Sequence, residues 1–415
     1  MNACRFAFCA LIILTLSTSP VQSAEFQVKV FGGDSDARNV AVRVPLDMEV
    51  EMPFAAVSSA DFNLLGQITP PGVLSADGKP ELRFVLPYLA EKDELTLHVK
   101  TIEVGQAPHG FHYVDEAGKY NELSLGERPL LRYMYEALDT SSPKRTGETY
   151  KVYHHVYDPT GSRFVTKGPG GKFPHHRGLF FGFNRISYGD GLSADIWHCR
   201  NGEHQLQKEI LEQTTGPVMG RQLLAIDWYG RQDDVFAKER RELTAYNVDG
   251  GIMIDFATVL DSQVGKVRLD GDPQHAGFQF RGSQDIPDKT AAMTYYVRPD
   301  GKGEPGKFRN WSAKKNETPQ NLAHINLPWL AISFVLDDKR YTCCYIDHPD
   351  NPKPARFSER DYGRFGSYFE YDLDTDKPLK LRYRIWLQEG EMSVDDVNQL
   401  SAGFVSSPEV QVDLN

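Results

Sequence analysis

Pro174-His175-His176-Arg177-Gly178 and Asp195-Ile196-Trp197-His198 gather imidazoles, a guanidinium, a carboxylate and an indole within 25 residues. Imidazole can donate or accept a proton near neutral pH, and it is also a common metal ligand. Two further segments share this character. In Gln274-His275-Ala276-Gly277-Phe278-Gln279-Phe280-Arg281, an extended chain turns Phe278 and Phe280 to one face and His275, Gly277, Gln279 and Arg281 to the other, a polar face fit to line a cavity. Asp347-His348-Pro349-Asp350-Asn351-Pro352, with Arg360-Asp361-Tyr362 close behind, is a loop stiffened by two prolines, a usual seat for a site residue. The three segments are expected to converge over one sheet.

Strand parity limits how they can do so. If His175 and His176 are extended, only one enters a given pocket, unless a turn at Pro174 breaks the alternation. The same rule sets Asp195 and Trp197 against His198 and argues against an Asp195–His198 chelate. The expected acid–base pair is His176 and His275, facing each other across a sugar ring. His348 is the third catalytic histidine, orienting the pair together with Asp195. Arg177 and Arg281 bind hydroxyls or a carboxylate through their planar forks, and His175, Trp197, Arg360 and Tyr362 complete the substrate-binding set. Elimination, epimerisation and hydrolysis all fit these residues, and none of them requires a cofactor. The alternative is a divalent metal, zinc or iron, held by His176, His275 and His348, although no tight His-x-His spacing marks it. A third reading is a non-catalytic carbohydrate-binding protein with a shallow aromatic platform. A glycosidase with two facing carboxylates is disfavoured, because no pair stands out among the 57 acids. Lys167-Gly168-Pro169-Gly170-Gly171-Lys172 has Phe173 where a phosphate loop needs Ser or Thr, so it reads as a loop leading into the histidine pair.

The elements that must carry these residues are strands. Glu94 to Lys100 and Leu379 to Leu387 alternate, whereas Gly251 to Leu260 and Trp329 to Leu336 are apolar on both parities, as strands buried between layers would be. One helix is expected near the end, where Ser393 and Asp396 form a capping-box pair and Val394, Val397 and Leu400 share a side. Arg5 and the apolar run Phe6 to Leu16 predict a secretory signal peptide over residues 1–23. A small immunoglobulin-like sandwich is expected over 24–104 and a larger antiparallel sandwich over 105–415. The loop from Pro299 to Pro319 is the expected mobile flap. The protein is therefore expected to be all-β and exported, periplasmic or extracellular, with no membrane span beyond the signal. Its net charge of −11, or −12 once Arg5 is removed, argues against nucleic acid. Three cysteines in the mature chain, Cys199, Cys343 and Cys344, do not make a disulfide framework.

The motifs Pro174-His175-His176-Arg177-Gly178-Leu179-Phe180-Phe181-Gly182, Asp195-Ile196-Trp197, Asp347-His348-Pro349 with Asn351-Pro352, and Arg360-Asp361-Tyr362-Gly363 resemble the PmoA-like family of exported bacterial proteins. The resemblance covers roughly residues 105–415. It implies a sandwich similar to that of aldose-epimerase-like proteins and a role in polysaccharide breakdown. The methane-oxygenase activity in that family's label is not expected, since such a subunit needs several spanning helices. The chain departs from the family pattern at Phe183-Asn184, where a His-containing pair is expected.

Overall fold

The computed structural model describes residues 23–48, 50–103, 110–309 and 318–413. All but the last residue of the expected signal peptide and the middle of the expected flap (310–317) fall outside these residues. The fold is all-β, built from several antiparallel sheets. The eleven-residue strands Ile252–Ser262 and Leu379–Glu389 pair without a register break, Ile254 opposite Ile385 and Phe256 opposite Tyr383.

A nine-stranded sheet runs from His204–Thr214 at one edge, through Ile252–Ser262, Leu379–Glu389, Lys339–Asp347 and Trp329–Leu336, to the short strand Gly301–Lys302 at the other. An eight-stranded sheet lies over it, with Leu179–Phe183 and Ala276–Arg281 as central neighbours. Directly opposed residues of an antiparallel pair share a face. The pairs Leu179–Phe280, Phe181–Phe278 and Phe183–Ala276 therefore point one way, and Phe180–Gln279 and Gly182–Gly277 the other. The first set packs inward: Phe181 meets Trp228 and Phe256, and Phe278 stacks on Phe256 at 4.2 Å and Tyr383 at 5.0 Å. Each such ring removed from water contributes about 1.5–3 kcal/mol. The second set faces outward, under the loops that carry the histidines.

The nine-stranded sheet is apolar on both parities because its far side is covered too. There Trp329, Trp386 and Met253 pack with Val397 and Leu400 of the C-terminal helix Val394–Val405. That helix begins at the Ser393–Asp396 capping box. Where one helix was expected, the described residues hold three α-helices: Pro143–Thr149 and Pro319–Leu322 precede it. Both are too short to show an apolar period. The first starts at Ser142, whose side chain accepts from the Arg145 N–H ahead of Pro143 at the first helical position.

Six N-terminal strands between Glu25 and Ile102 form a third sheet around their own core of Val28, Val42, Val57, Phe84 and Leu97. Its seventh strand, Glu409–Asp413, returns from the end of the chain to pair with Glu25–Phe31. The Gln67 amide ties this sheet to the body, accepting from the Val218 and Met219 N–H groups at 3.2 and 3.1 Å. Cys199, Cys343 and Cys344 are all free and buried.

Candidate metal centre

The outer face of the eight-stranded sheet carries a cluster of four histidines. The rings of His175 and His176 lie 4.3 Å apart, those of His175 and His198 4.5 Å, His198 and His275 4.8 Å, and His176 and His275 5.4 Å. His175, His176 and His275 each present a ring nitrogen, all within 4.8 Å of one another. Bonds of about 2.1 Å to a tetrahedral zinc would set such nitrogens about 3.4 Å apart, so three of the four ligand positions come within reach once the rings turn towards one another.

Local turns, not strands, aim these rings. Phe173 takes a left-handed φ of +56°, and the His176 N–H closes a turn onto the Phe173 carbonyl at 3.1 Å around Pro174. Both His175 and His176 thereby enter the same site. Gly178 then brings the chain so close to the next strand that a Cβ would lie 2.0 Å from the His154 carbonyl oxygen. The segment Asp195 to His198 is likewise a turn. The Asp195 carboxylate accepts from the Trp197 and His198 N–H groups at 3.0 and 2.8 Å and from His198 Nδ1 at 2.8 Å. The parity argument that kept Asp195 and His198 apart is corrected, because parity applies only to extended chain.

His275 follows the same plan. Asp272 accepts its Nδ1–H at 2.9 Å and is held in turn by Asn184 Nδ2 at 2.9 Å and the Gln274 N–H at 3.0 Å. A carboxylate can only accept, so His198 and His275 both carry a proton on Nδ1, which makes Nε2 the nitrogen that would face an ion. Carboxylate-oriented imidazoles are the usual support of a metal ligand. Burial, and then the charges of Lys151 and the neighbouring histidines, push His175 down to about 2. Burial with Arg364 holds His176 well below its ordinary value, and burial also lowers His275 despite Asp272. All three rings are neutral at pH 7, the form that binds metals. On Asp272 and Asp195 burial acts upward, but the hydrogen bonds from His275 and His198 outweigh it and both stay ionised. His175 Nε2 and His176 Nδ1 are buried without a partner, as is Trp197 Nε1.

The remaining sequence-selected residues divide. Trp197 sets its edge against His176 at 5.6 Å, and Tyr362 stands 5.8 Å from His176 and 4.8 Å from Phe173. Arg281 lies under Tyr362, its guanidinium 4.9 Å from the ring centre. Arg177 turns all three guanidinium nitrogens to the backbone. It binds the carbonyls of Pro174 at 3.1 Å, Glu148 at 2.9 Å and Gly147, and so pins the histidine turn to the helix Pro143–Thr149. Arg360 donates to the Glu359 carbonyl. His348 is elsewhere. Its ring meets Phe404 of the C-terminal helix at 5.5 Å and lines a cleft of about 530 Å³ with Asp255, Arg382 and Arg384, between the body and the N-terminal sheet. The strand it follows, Lys339–Asp347, belongs to the nine-stranded sheet, so the expected third histidine of the site is replaced by His175 and His198.

Sequence reasoning passed over Lys151, Asp272, Asn184 and Arg364. Lys151 donates to the His175 and Trp197 carbonyls at 2.7 and 2.6 Å, joining the two histidine turns, and burial holds its ammonium far below its ordinary value. Only Asp272 left a signal, an acid three residues before a histidine within the turn Asp270-Gly271-Asp272-Pro273.

A family profile matches residues 121–402, that of DUF6807, a family of unknown function, and the chain belongs to this family. The PmoA-like assignment is corrected accordingly: this is the profile that matches, and no helix among the described residues is long and apolar enough to cross a membrane, as the methane-oxygenase subunit requires. No curated protein matches the chain. Among solved structures, a protein in glycosyl hydrolase family 38 from Enterococcus faecalis is similar at 9% identity and a TM-score of 0.46, covering 94% of this chain and 47% of that one. This chain thus spans about half the length of that structure. A galactose mutarotase related enzyme from Lactobacillus acidophilus aligns at 8% identity and a TM-score of 0.31, over 68% of this chain and 97% of that one. A glycoside hydrolase family 97 enzyme from Pseudoalteromonas aligns at 11% identity and a TM-score of 0.26, over 69% and 35%. At these scores the likenesses carry no functional argument.

Proposed function

We propose that this protein is an exported, metal-dependent enzyme in which His175, His176 and His275 hold a divalent ion, with His198 beside them as a fourth ligand or as a base. The observation that carries the reading is the cluster itself: three ring nitrogens within 4.8 Å, all on neutral imidazoles, with Asp272 and Asp195 fixing the tautomers of His275 and His198. Such an ion would lower the pKa of a bound water or polarise a substrate oxygen. The substrate class we propose is a sugar or oligosaccharide. The site offers the aromatic faces and guanidinium donors that hydroxyl-rich ligands use.

Metal-free acid–base catalysis by His176 and His275 across a sugar ring is less well supported. Their rings stack at 5.4 Å with an interplanar angle of 18°. A ring lying between them needs about 7 Å, two van der Waals contacts of about 3.5 Å. The test is elemental analysis of protein purified without chelators, beside the His176→Ala and His275→Ala variants. One equivalent of zinc, iron or manganese that falls away in both variants is expected. Metal-free samples that stay so after incubation with all three ions would overturn the reading.

A further inference from the structure

Three buried arginines of this protein use one edge of the guanidinium in the same way. Arg241 places Nε and Nη2 on Glu239 at 2.7 and 2.9 Å, Arg298 on Glu359 at 2.6 Å each, and Arg384 on Asp255 at 2.6 and 2.9 Å. Arg364 has the same edge empty. Its Nη1 makes every bond, to the Pro273 carbonyl at 3.1 Å, Gln279 Oε1 at 2.8 Å and Ser358 Oγ at 2.8 Å, while Nε and Nη2 are buried without a partner. None of the three acceptors is charged, and the residue is fully buried.

Directly across the strand pair stands Arg281, so both side chains lie on the outer face, under the histidines. It too is buried, with only Gly282, Tyr362 and Gln284 oxygens as partners, and its Nε is also unpartnered. Two guanidinium ions without a counter-charge are costly in a dry interior. The carboxylates of the site do not supply that charge, since Asp272 and Asp195 are engaged by His275 and His198. Arg364 nevertheless stands beside the site, since its Nη1 donates to the carbonyl of Pro273 in the turn that runs from Asp272 to His275.

We propose that the empty Nε and Nη2 edge of Arg364 is the seat of a ligand carboxylate, with Arg281 as the second cation, and that the substrate of this site is an acidic sugar, a uronic acid or a chain containing one. The proposal rests on the sugar-enzyme reading above and narrows its substrate class. A planar carboxylate fits this edge with two parallel charged hydrogen bonds, the geometry of the three internal pairs. The three bonds at Nη1 fix the plane of the guanidinium in advance, so little ordering remains on binding. The edge is closed to solvent, and a ligand reaches it only when covering side chains move. The stack of Phe173, 41% exposed, on Tyr362 beside His176 is the exposed wall of the cluster.

The test is calorimetric titration of the full chain with D-glucuronate and D-galacturonate, against D-glucose and D-galactose, with metal content read on the same sample. The uronates are expected to bind at least about tenfold more tightly than the neutral sugars, the gain of a charged bidentate pair. Arg364→Lys keeps the charge and loses the fork. It is expected to cost at least about tenfold in uronate affinity, with metal content unchanged. Neutral sugars binding as tightly as uronates, no uronate binding, or full uronate affinity in Arg364→Lys would each overturn the proposal. Sulfate displacing glucuronate at equal concentration would overturn the carboxylate assignment. The comparison on the unaltered chain needs no variant to fold. A preference for uronates in protein that stays metal-free after incubation with zinc, iron and manganese contradicts the metal reading alone, and bound metal without that preference contradicts this inference alone.

Discussion

Asp272→Asn isolates the support of one metal ligand without touching the ligand itself. The asparagine nearly matches the aspartate in shape and keeps one oxygen acceptor for the His275 Nδ1–H, which now lies 2.9 Å from Asp272 Oδ1. It removes the negative charge that makes the imidazole a stronger donor. It also puts an amide where Asn184 Nδ2 donates to Oδ2 at 2.9 Å, so two amide groups compete for one bond. Loss of such a carboxylate support costs about 10- to 100-fold in metal affinity, or about 1.4–2.7 kcal/mol. Asp195→Asn acts on His198, which lies outside the closest triad. It is expected to cost less than about tenfold by the same reasoning. The assay is competition for zinc against a chromophoric chelator, with thermal unfolding of the metal-free proteins recorded so that lost affinity is not mistaken for lost fold. Zinc affinity in Asp272→Asn within twofold of the parent, or a larger loss in Asp195→Asn, would refute the assignment of Asp272 as the orienting carboxylate.

His348→Ala is expected to leave metal content unchanged, because this side chain lines the other cleft; elemental analysis showing metal loss would contradict that separation. Lys151→Met leaves the His175 and Trp197 carbonyls without their donor, at about 1–3 kcal/mol for each unpaired group, partly offset by removing a buried amine. A net destabilisation with weaker metal binding is expected, and unchanged urea midpoint and zinc affinity together would count against it. The metal-free protein is expected to lose stability below pH 6.5. His155 is held to about 3 and His175 to about 2, chiefly by burial, so on acidification the unfolded chain takes up protons that the folded chain refuses. Each such imidazole forfeits about 2 kcal/mol at pH 5 relative to pH 8. The depressed carboxylates Asp195 and Asp272 lose their contribution only below their ordinary 3.8, outside this window. Equal urea midpoints at pH 5 and pH 8 would contradict the burial of neutral histidines.

The strands were legible because their burial alternates with period two or, between two covered faces, not at all. The runs Trp329–Leu336 and Leu379–Glu389 carry that signal in their residue types. Site residues were legible by type and not by aim. Period-two reasoning separated His175 from His176 and Asp195 from His198, yet each pair sits in a turn that folds both members inward. His348 looked equivalent to His275 by residue type, and what separates them is the sheet each adjoins, which pairing over long sequence distances decides. The supports were hardest to see. Lys151 acts through two carbonyls and Arg364 through what it lacks, and neither leaves a motif.

The most direct measurement of the metal reading is an anomalous-scattering map from crystals of protein purified without chelators. An anomalous peak bounded by the ring nitrogens of His175, His176 and His275, about 2.0–2.2 Å from each, is the predicted result. A peak at any other set of residues, or no peak in crystals soaked with zinc, would contradict it.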